Sequence, residues 1–251
     1  MEGRILGSGT AVPHPRRGTA GNLVRRSGAT ILIDTGLGTL QKLAILGISP
    51  AEPDAVAFTH LHLDHTAELA PLLFCLRNVG IGRTKTLTLL GAPGLRDFYE
   101  RLRRMYGSWV EPEGYPLEIE EISDRPVSLG SLVLTGFPVM HTPQSLAFRV
   151  EDPGTGKAAA FSGDTDLCEG LVAAARDADV AVFECSFPDE HKVEGHLTPG
   201  EAGTAASSAR VRKLVLTHFY PECEGADILG QCRATFSGEI ILAEDLLRIP
   251  I

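Results

Sequence analysis

"FTHLHLDHTAEL", residues 58–69, places three histidines and an aspartate within six consecutive positions, His60 to His65. In an extended segment alternate side chains share a face, so His60 and His62 point the same way. Asp64 and His65 then need a turn to bring them round to the same pocket. A hydrocarbon core does not absorb so many imidazoles at one bend of the chain. Neutral imidazole and carboxylate are, however, the donors that suit borderline divalent metals such as zinc.

Working outward, the segment follows a short apolar run and belongs to a recurring pattern. β-like runs are predicted at 3–9, 29–36, 54–60, 86–91, 131–139, 146–150, 157–164, 180–186, 213–219 and 238–245. Some alternate apolar and polar residues; others are continuous apolar runs suited to a sheet covered on both faces. Of the eight histidines, five (His60, His62, His65, His141 and His218) fall at or just beyond the end of such a run. Asp164, in "FSGDT" (161–165), has the same placement. Strand ends are where a rigid scaffold hands a side chain to a loop-lined pocket. A single histidine so placed reads first as a hydrogen-bonded surface or core residue. These six, with Asp64 from the same histidine segment, make seven donors that together read as a metal centre.

Helices are predicted between the strands. Leu95, Phe98, Leu102 and Met105 form an apolar stripe at helical spacing, with Arg96, Arg101, Arg103 and Arg104 on a solvated face. Thr198, Pro199 and Glu201 read as a capping box with proline at the first helical position. A further helix is predicted over 225–235. No repeat, low-complexity tract or linker divides the chain, so residues 1–251 are expected to form one mixed α/β domain.

Composition excludes several classes. No apolar run approaches the roughly 18–20 residues of a membrane span, and Gly7 and Gly9 interrupt the apolar N-terminus, so a cytoplasmic protein is expected. Five scattered cysteines without CxxC spacing argue against a disulfide framework and a zinc ribbon. A net charge of −9 makes the chain a poor tracker of long polyanions, although a local basic site can still hold a phosphate.

Five histidines and two aspartates exceed the four ligands of one tetrahedral zinc. Two metals sharing a bridging carboxylate fit the number. Such a pair, roughly 3.5–4 Å apart, can share a hydroxide and clamp the oxygens of an ester under attack.

The motif "THLHLDH" (59–65) resembles the HxHxDH signature of the metallo-β-lactamase superfamily. The resemblance runs on through "LIDTG" (32–36), His141, "SGDT" (162–165) and "LTHF" (216–219) in the family's order. It implies an αββα sandwich of two mixed sheets with helices outside. It also implies that His60, His62 and His141 hold one metal and Asp64, His65 and His218 a second, with Asp164 bridging. Zinc is the first expectation for both and manganese the second.

Within the superfamily the chain resembles the ribonuclease Z-like phosphodiesterase branch. The opening "ILGSGTAVPHPRRGTAGNLV" (5–24), "FECSF" (183–187) and "GHLT" (195–198) carry this likeness. It implies that Glu184 and His196, counted with Asp64 as catalytic, form an acid–histidine pair that protonates the leaving group. The plainer alternatives are a buried hydrogen-bonding carboxylate for Glu184 and a helix N-terminus for His196.

One departure matters. Short ribonuclease Z enzymes carry a glycine-rich basic arm for tRNA between the positions of His141 and Asp164, which here lie 23 positions apart. The interval fits two strands and a turn. The expected substrate is therefore a small or nucleotide-derived phosphodiester, or a short nucleic-acid end. The alternatives are tRNA 3′ processing and hydrolysis of a lactone, thioester or β-lactam. Diiron oxygen reductases share the scaffold but carry glutamate in place of His62.

Three lesser expectations complete the reading. The glycines of "LGSGT" (6–10) let backbone approach the metal pocket. Arg16 or Arg17 reaches a phosphate. The loop 106–116, with Tyr106, Trp109 and Tyr115, forms a substrate lid or a homodimer contact.

Overall fold

The computed structural model describes all 251 residues. Its first sheet contains β1 (Glu2–Gly7), β2 (Gly21–Arg26), β3 (Ala29–Ile33), β4 (Ala55–Ala57), β5 (Leu87–Gly91) and β6 (Leu117–Glu121). Its second contains β7 (Pro126–Leu129), β8 (Leu132–Pro138), β9 (Leu146–Asp152), β10 (Lys157–Phe161), β11 (Val180–Glu184), β12 (Lys213–Thr217) and β13 (Glu239–Leu242). The chain then returns, and β14 (Arg248–Pro250) pairs antiparallel with β1 at the edge of the first sheet. Each sheet has seven strands, ordered β14-β1-β2-β3-β4-β5-β6 and β13-β12-β11-β10-β9-β8-β7. Both are mixed: the β3 to β6 and β10 to β13 ladders are parallel, while β1–β3 and β7–β10 pair antiparallel.

Seven α-helices accompany the sheets, α1 (Thr39–Ile45), α2 (Leu63–Thr66), α3 (Leu69–Leu76), α4 (Leu95–Tyr106), α5 (Glu169–Ala175), α6 (Pro199–Ser208) and α7 (Ile228–Arg233); all but the one-turn α2 cover the outer faces. Strand alternation builds the layers. Ile31 and Ile33 face the second sheet, in one core with Leu134, Phe148, Val150 and Val182. Leu32, between them, faces outward to Leu43, Leu72 and Tyr99 of α1, α3 and α4. Likewise Val180 and Val182 point inward, whereas Ala181 and Phe183 meet Leu171, Ala202 and Cys232 of α5, α6 and α7. Strands with apolar residues on both faces are the continuous runs of the sequence. The result is the expected four-layer αββα sandwich.

One local expectation needs correction and another needs refinement. Met105 is 74% exposed and lies off the α4 stripe; the buried position is taken by Tyr99, which follows Leu95 by one turn. The glycines of the opening loop divide: Gly7 lines the cavity that holds His65, Asp164 and His218, whereas Gly9 packs against Arg17. A Cβ on Gly7 would lie 1.8 Å from the Thr19 carbonyl oxygen, and one on Gly9 would lie 2.8 Å from Arg17 Cβ. The glycine that admits the histidine segment is Gly36, where a Cβ would sit 2.2 Å from the Asp64 carbonyl oxygen.

Candidate metal centre

The parallel strands of both sheets end on one side of the sandwich, and the predicted donors are carried by the loops that leave them. Strand β4 ends at Ala57; the chain bends at Thr59, is extended at His62 and then turns into α2 at Leu63. The bend at Thr59 and the turn into α2 together bring Asp64 and His65 beside His60. His141 follows β8, Asp164 follows β10, and His218 follows β12. Asp34 and His218 hold left-handed backbone conformations, φ 62° and 60°, which side-chain-bearing residues adopt at a cost.

All seven predicted donors converge. Ligand atoms of His60, His62, His141 and Asp164 lie within 4.8 Å of one another, as do those of Asp64, His65 and His218. Asp164 stands between the two groups. Its Oδ2 lies 3.7 Å from His60 Nε2 and 3.9 Å from His141 Nε2; its Oδ1 lies 3.4 Å from His65 Nε2 and 3.5 Å from His218 Nε2. His218 Nε2 is also 3.6 Å from Asp64 Oδ2. These separations match the edge of about 3.3 Å expected between tetrahedral zinc ligands.

Four of these atoms, His60 Nε2, His65 Nε2, His218 Nε2 and Asp164 Oδ1, are buried and make no hydrogen bond. An unpaired buried polar atom costs on the order of 1–3 kcal/mol, so four at one point form a site matched to cations. The donor chemistry and the orphaned atoms therefore both fit divalent metal.

The opposite ring nitrogens are occupied. His65 Nδ1 donates to Asp34 at 2.8 Å, and Asp34 also accepts the Thr59 hydroxyl at 2.8 Å. Thr59 Oγ1 lies 3.1 Å from His60 Nδ1 and Ser186 Oγ 3.0 Å from His218 Nδ1. His141 Nδ1 donates to the Gly195 carbonyl at 2.8 Å. With Nδ1 engaged behind, each ring turns Nε2 into the pocket. Asp34, Thr59, Ser186 and Gly195 were not singled out as orienting residues from sequence. Their signal is that each lies inside a motif of the resemblance, "LIDTG", "THLHLDH", "FECSF" and "GHLT".

Electrostatics follow from burial. His60 is pushed down to about 2 by burial and by the neighbouring His65. Burial and His141 lower His62 as well. Both rings stay neutral, as ligands must. Burial opposes ionisation of Asp64, but His218 and His65 outweigh it and bring its carboxyl down to about 2. Asp164 is likewise held well below the usual carboxylate range by His218 and His65, against the cost of burial. The same contacts, with Asp34, hold His65 well above the usual histidine range although burial opposes its charge.

Glu184 and His196 lie beside this cluster. Glu184 is buried, accepting His196 Nδ1–H at 3.0 Å and the Thr165 amide at 2.9 Å on Oε1, with the Ser186 hydroxyl at 2.5 Å on Oε2. His196 stacks 6.1 Å from the His218 ring. Its Nδ1 lies 3.9 Å from Asp164 Oδ2 but is committed to Glu184. Of the other predicted contacts, Arg17 is spent internally on Ser8 Oγ and the Ala243 carbonyl, both at 2.7 Å. The Arg16 side chain is 82% exposed, 3.9 Å from Glu224. In the loop 106–116, Tyr115 is buried, while Trp109 stays exposed with its ring edge-on to Phe74.

The model of the family described as the beta-lactamase superfamily domain matches residues 29–219, most of the strands and every predicted ligand. The chain belongs to the metallo-β-lactamase superfamily. Within it, the ribonuclease Z of Mycobacterium marinum is 30% identical over 284 residues, covering 100% of this chain and 99% of that relative. The uncharacterized protein Rv1339 of Mycobacterium tuberculosis is 34% identical over 246 residues, 94% of this chain and 87% of its own. Among solved structures, human tRNase Z, short form, superimposes with a TM-score of 0.80 at 26% identity, covering 100% of this chain and 99% of that one. This superfamily member is thus ribonuclease Z-like in sequence and in fold.

Proposed function

We propose that residues 1–251 act as one domain, a dinuclear metal-dependent phosphodiesterase that hydrolyses a small or nucleotide-derived diester. His60, His62 and His141 would hold one ion, Asp64, His65 and His218 the other, with Asp164 shared. Zinc suits the imidazole-rich set, and manganese is the alternative. When bound, the ions supply Lewis acidity to the phosphoryl oxygens and acidify water.

The protein's own part is positioning and proton transfer. His62 is exposed and His141 and Asp64 are half-buried, whereas His60, His65, His218 and Asp164 are buried, so substrate enters over His62. The observation that carries the reading is the Glu184–His196 pair. Glu184 fixes His196 Nδ1, leaving Nε2 to hold the proton given to the departing alkoxide. Acyl hydrolysis has no need of this pair.

A second reading, tRNA 3′ processing, is favoured by the full-length match to a ribonuclease Z. Two observations weigh against it. That alignment runs over 284 residues against 251 in this chain, so the relative carries segments without a counterpart here. The span from His141 to Asp164 holds only β9, a turn and β10, with no room for a tRNA-gripping arm. No helix is long and apolar enough to cross a membrane, and we place the protein in the cytoplasm.

The test is turnover by zinc-loaded protein of bis-p-nitrophenyl phosphate, a lactone, a thioester and a precursor tRNA. The diester should be hydrolysed fastest and precursor tRNA poorly. Site-specific tRNA cleavage at physiological salt, or faster acyl hydrolysis, would overturn the proposal.

A further inference from the structure

Loop 192–198 brings two functional groups to the mouth of the pocket: His196 itself, and the Gly195 carbonyl that accepts His141 Nδ1–H at 2.8 Å. The side chains that hold this loop are Lys192 and Asp166. Asp166 Oδ2 accepts the Gly195 amide at 2.6 Å, and its Oδ1 accepts Lys192 Nζ at 2.5 Å. Lys192 Nζ donates as well to the His196 carbonyl and, at 2.6 Å, to Glu201 Oε2. Glu201 in turn closes the capping box of α6 by accepting the Thr198 amide at 3.0 Å.

Asp166 and its neighbour Thr165 grip the opposite wall. The Asp166 amide donates to the Met140 carbonyl at 2.8 Å, and the Met140 amide donates to Thr165 Oγ1 at 3.1 Å. A carbonyl can only accept, so the Gly195 contact fixes the proton of a neutral His141 on Nδ1 and leaves Nε2 for the pocket. Gly195 stands at φ +85°, and a Cβ there would lie 2.9 Å from His141 Nδ1. This close approach is open only to glycine, which is then free to swing unless its amide is held. Asp166 supplies that hold.

We propose that Lys192 and Asp166 are positioning residues, their ion pair setting at once the ring orientation of His141 and the reach of His196. The inference rests on the reading in which His141 holds metal and His196 donates the proton. The Lys192 side chain is 34% exposed and that of Asp166 20%, and ion pairs this open contribute little to stability. Their signature is therefore functional rather than thermal.

The experiment uses the full chain with Asp166→Asn, Lys192→Met, the double variant and Lys192→Arg. Zinc affinity is measured by competition between apoprotein and a chromogenic chelator. Melting temperature is recorded, and kcat is compared on diesters with alkoxide and p-nitrophenolate leaving groups. Asp166→Asn should weaken zinc binding about 10- to 100-fold, as loss of a ligand's orienting partner does. Lys192→Met should lower kcat on the alkoxide substrate by about 10- to 100-fold, and less on p-nitrophenolate. The double variant should lose less than the product of the single losses. Lys192→Arg should recover most of the activity.

Wild-type zinc affinity in Asp166→Asn, or losses equal on both leaving groups and matched by a fall in melting temperature, would overturn the proposal. His141→Ala separates this from the reading beneath it. If that variant loses zinc while Asp166→Asn does not, the clamp alone fails. If His141→Ala keeps both metals, the metal assignment fails and the clamp with it.

Discussion

His196 differs from the other histidines of the cluster in the atom it leaves free and in what sits behind it. Burial lowers its basicity, but Glu184, and less so Asp164, outweigh this and raise its pKa. Glu184 takes no part in the proposed ligand set, so its effect persists with metals bound. The imidazolium thus survives to higher pH than an ordinary histidine, and turnover that needs the acid should be lost only as pH rises through the raised value. His196→Ala is expected to keep its metals, lose kcat by about 10²–10⁴-fold on an alkoxide leaving group, and lose that alkaline limb. The loss should shrink for p-nitrophenolate, which departs without a proton. Metal loss in this variant would make His196 a ligand. Asp34 sits one bond further out, on His65 Nδ1. Asp34→Asn should weaken zinc affinity about 10- to 100-fold while the fold survives, measured by chelator competition. Unchanged affinity would deny Asp34 its orienting role.

At the scale of elements, α6 shows how a local signal reaches the site. Thr198 Oγ1 accepts the Glu201 amide, the Glu201 carboxylate accepts the Thr198 amide, and Pro199 occupies the first turn. Thr198→Ala should cost about 1 kcal/mol, a fall in melting temperature of roughly 2–4 °C. Because the cap adjoins His196, kcat should fall too; a purely thermal effect would show that loop and cap are uncoupled. This helix was legible from sequence because its signals are local. The ten expected strands were legible as well, their apolar runs being buried on at least one face in all but the edge strand β13, which is only partly buried. Four others escaped. β2 ends in Arg25 and Arg26, β6 carries three glutamates at the edge of the first sheet, β7 is an edge strand opening with a proline, and β14 has three residues. Of these, β6, β7 and β14 are edge strands, which need no long apolar run, whereas β2 is interior and has only the short pair Leu23–Val24 before its arginines. The convergent donors were legible because they cluster at or just beyond strand ends. The orienting roles of the residues behind them were not, since Asp34 lies 31 positions from His65 and hydrogen bonds across such a span leave no periodic trace.

For the molecule as a whole, the centre joins the two sheets. His60, His62, Asp64 and His65 leave the first sheet, and His141, Asp164 and His218 leave the second. Metal held there should stabilise the folded state by an amount set by occupancy, about 2.7 kcal/mol at a free concentration 100 times the dissociation constant. Chelation should therefore lower the melting temperature, and restored zinc should raise it. No change in either direction would deny the centre a cation.

The division of ligands between sheets also bears on the order of events when the chain folds and unfolds. The donors meet only after the sandwich has closed, so they should contribute little at the barrier, the behaviour of a contact with a low φ-value. Stabilisation formed after the barrier slows escape from the native state and leaves the approach to it unaltered. In denaturant-jump experiments, added zinc should flatten nothing on the refolding arm of the chevron and lower the unfolding arm. Faster refolding would instead mean that the histidine segment gathers its ion early and seeds the docking of the sheets. On the expected behaviour, the ion acts as a latch: it sets how long the closed sandwich lasts once made, and takes no part in making it.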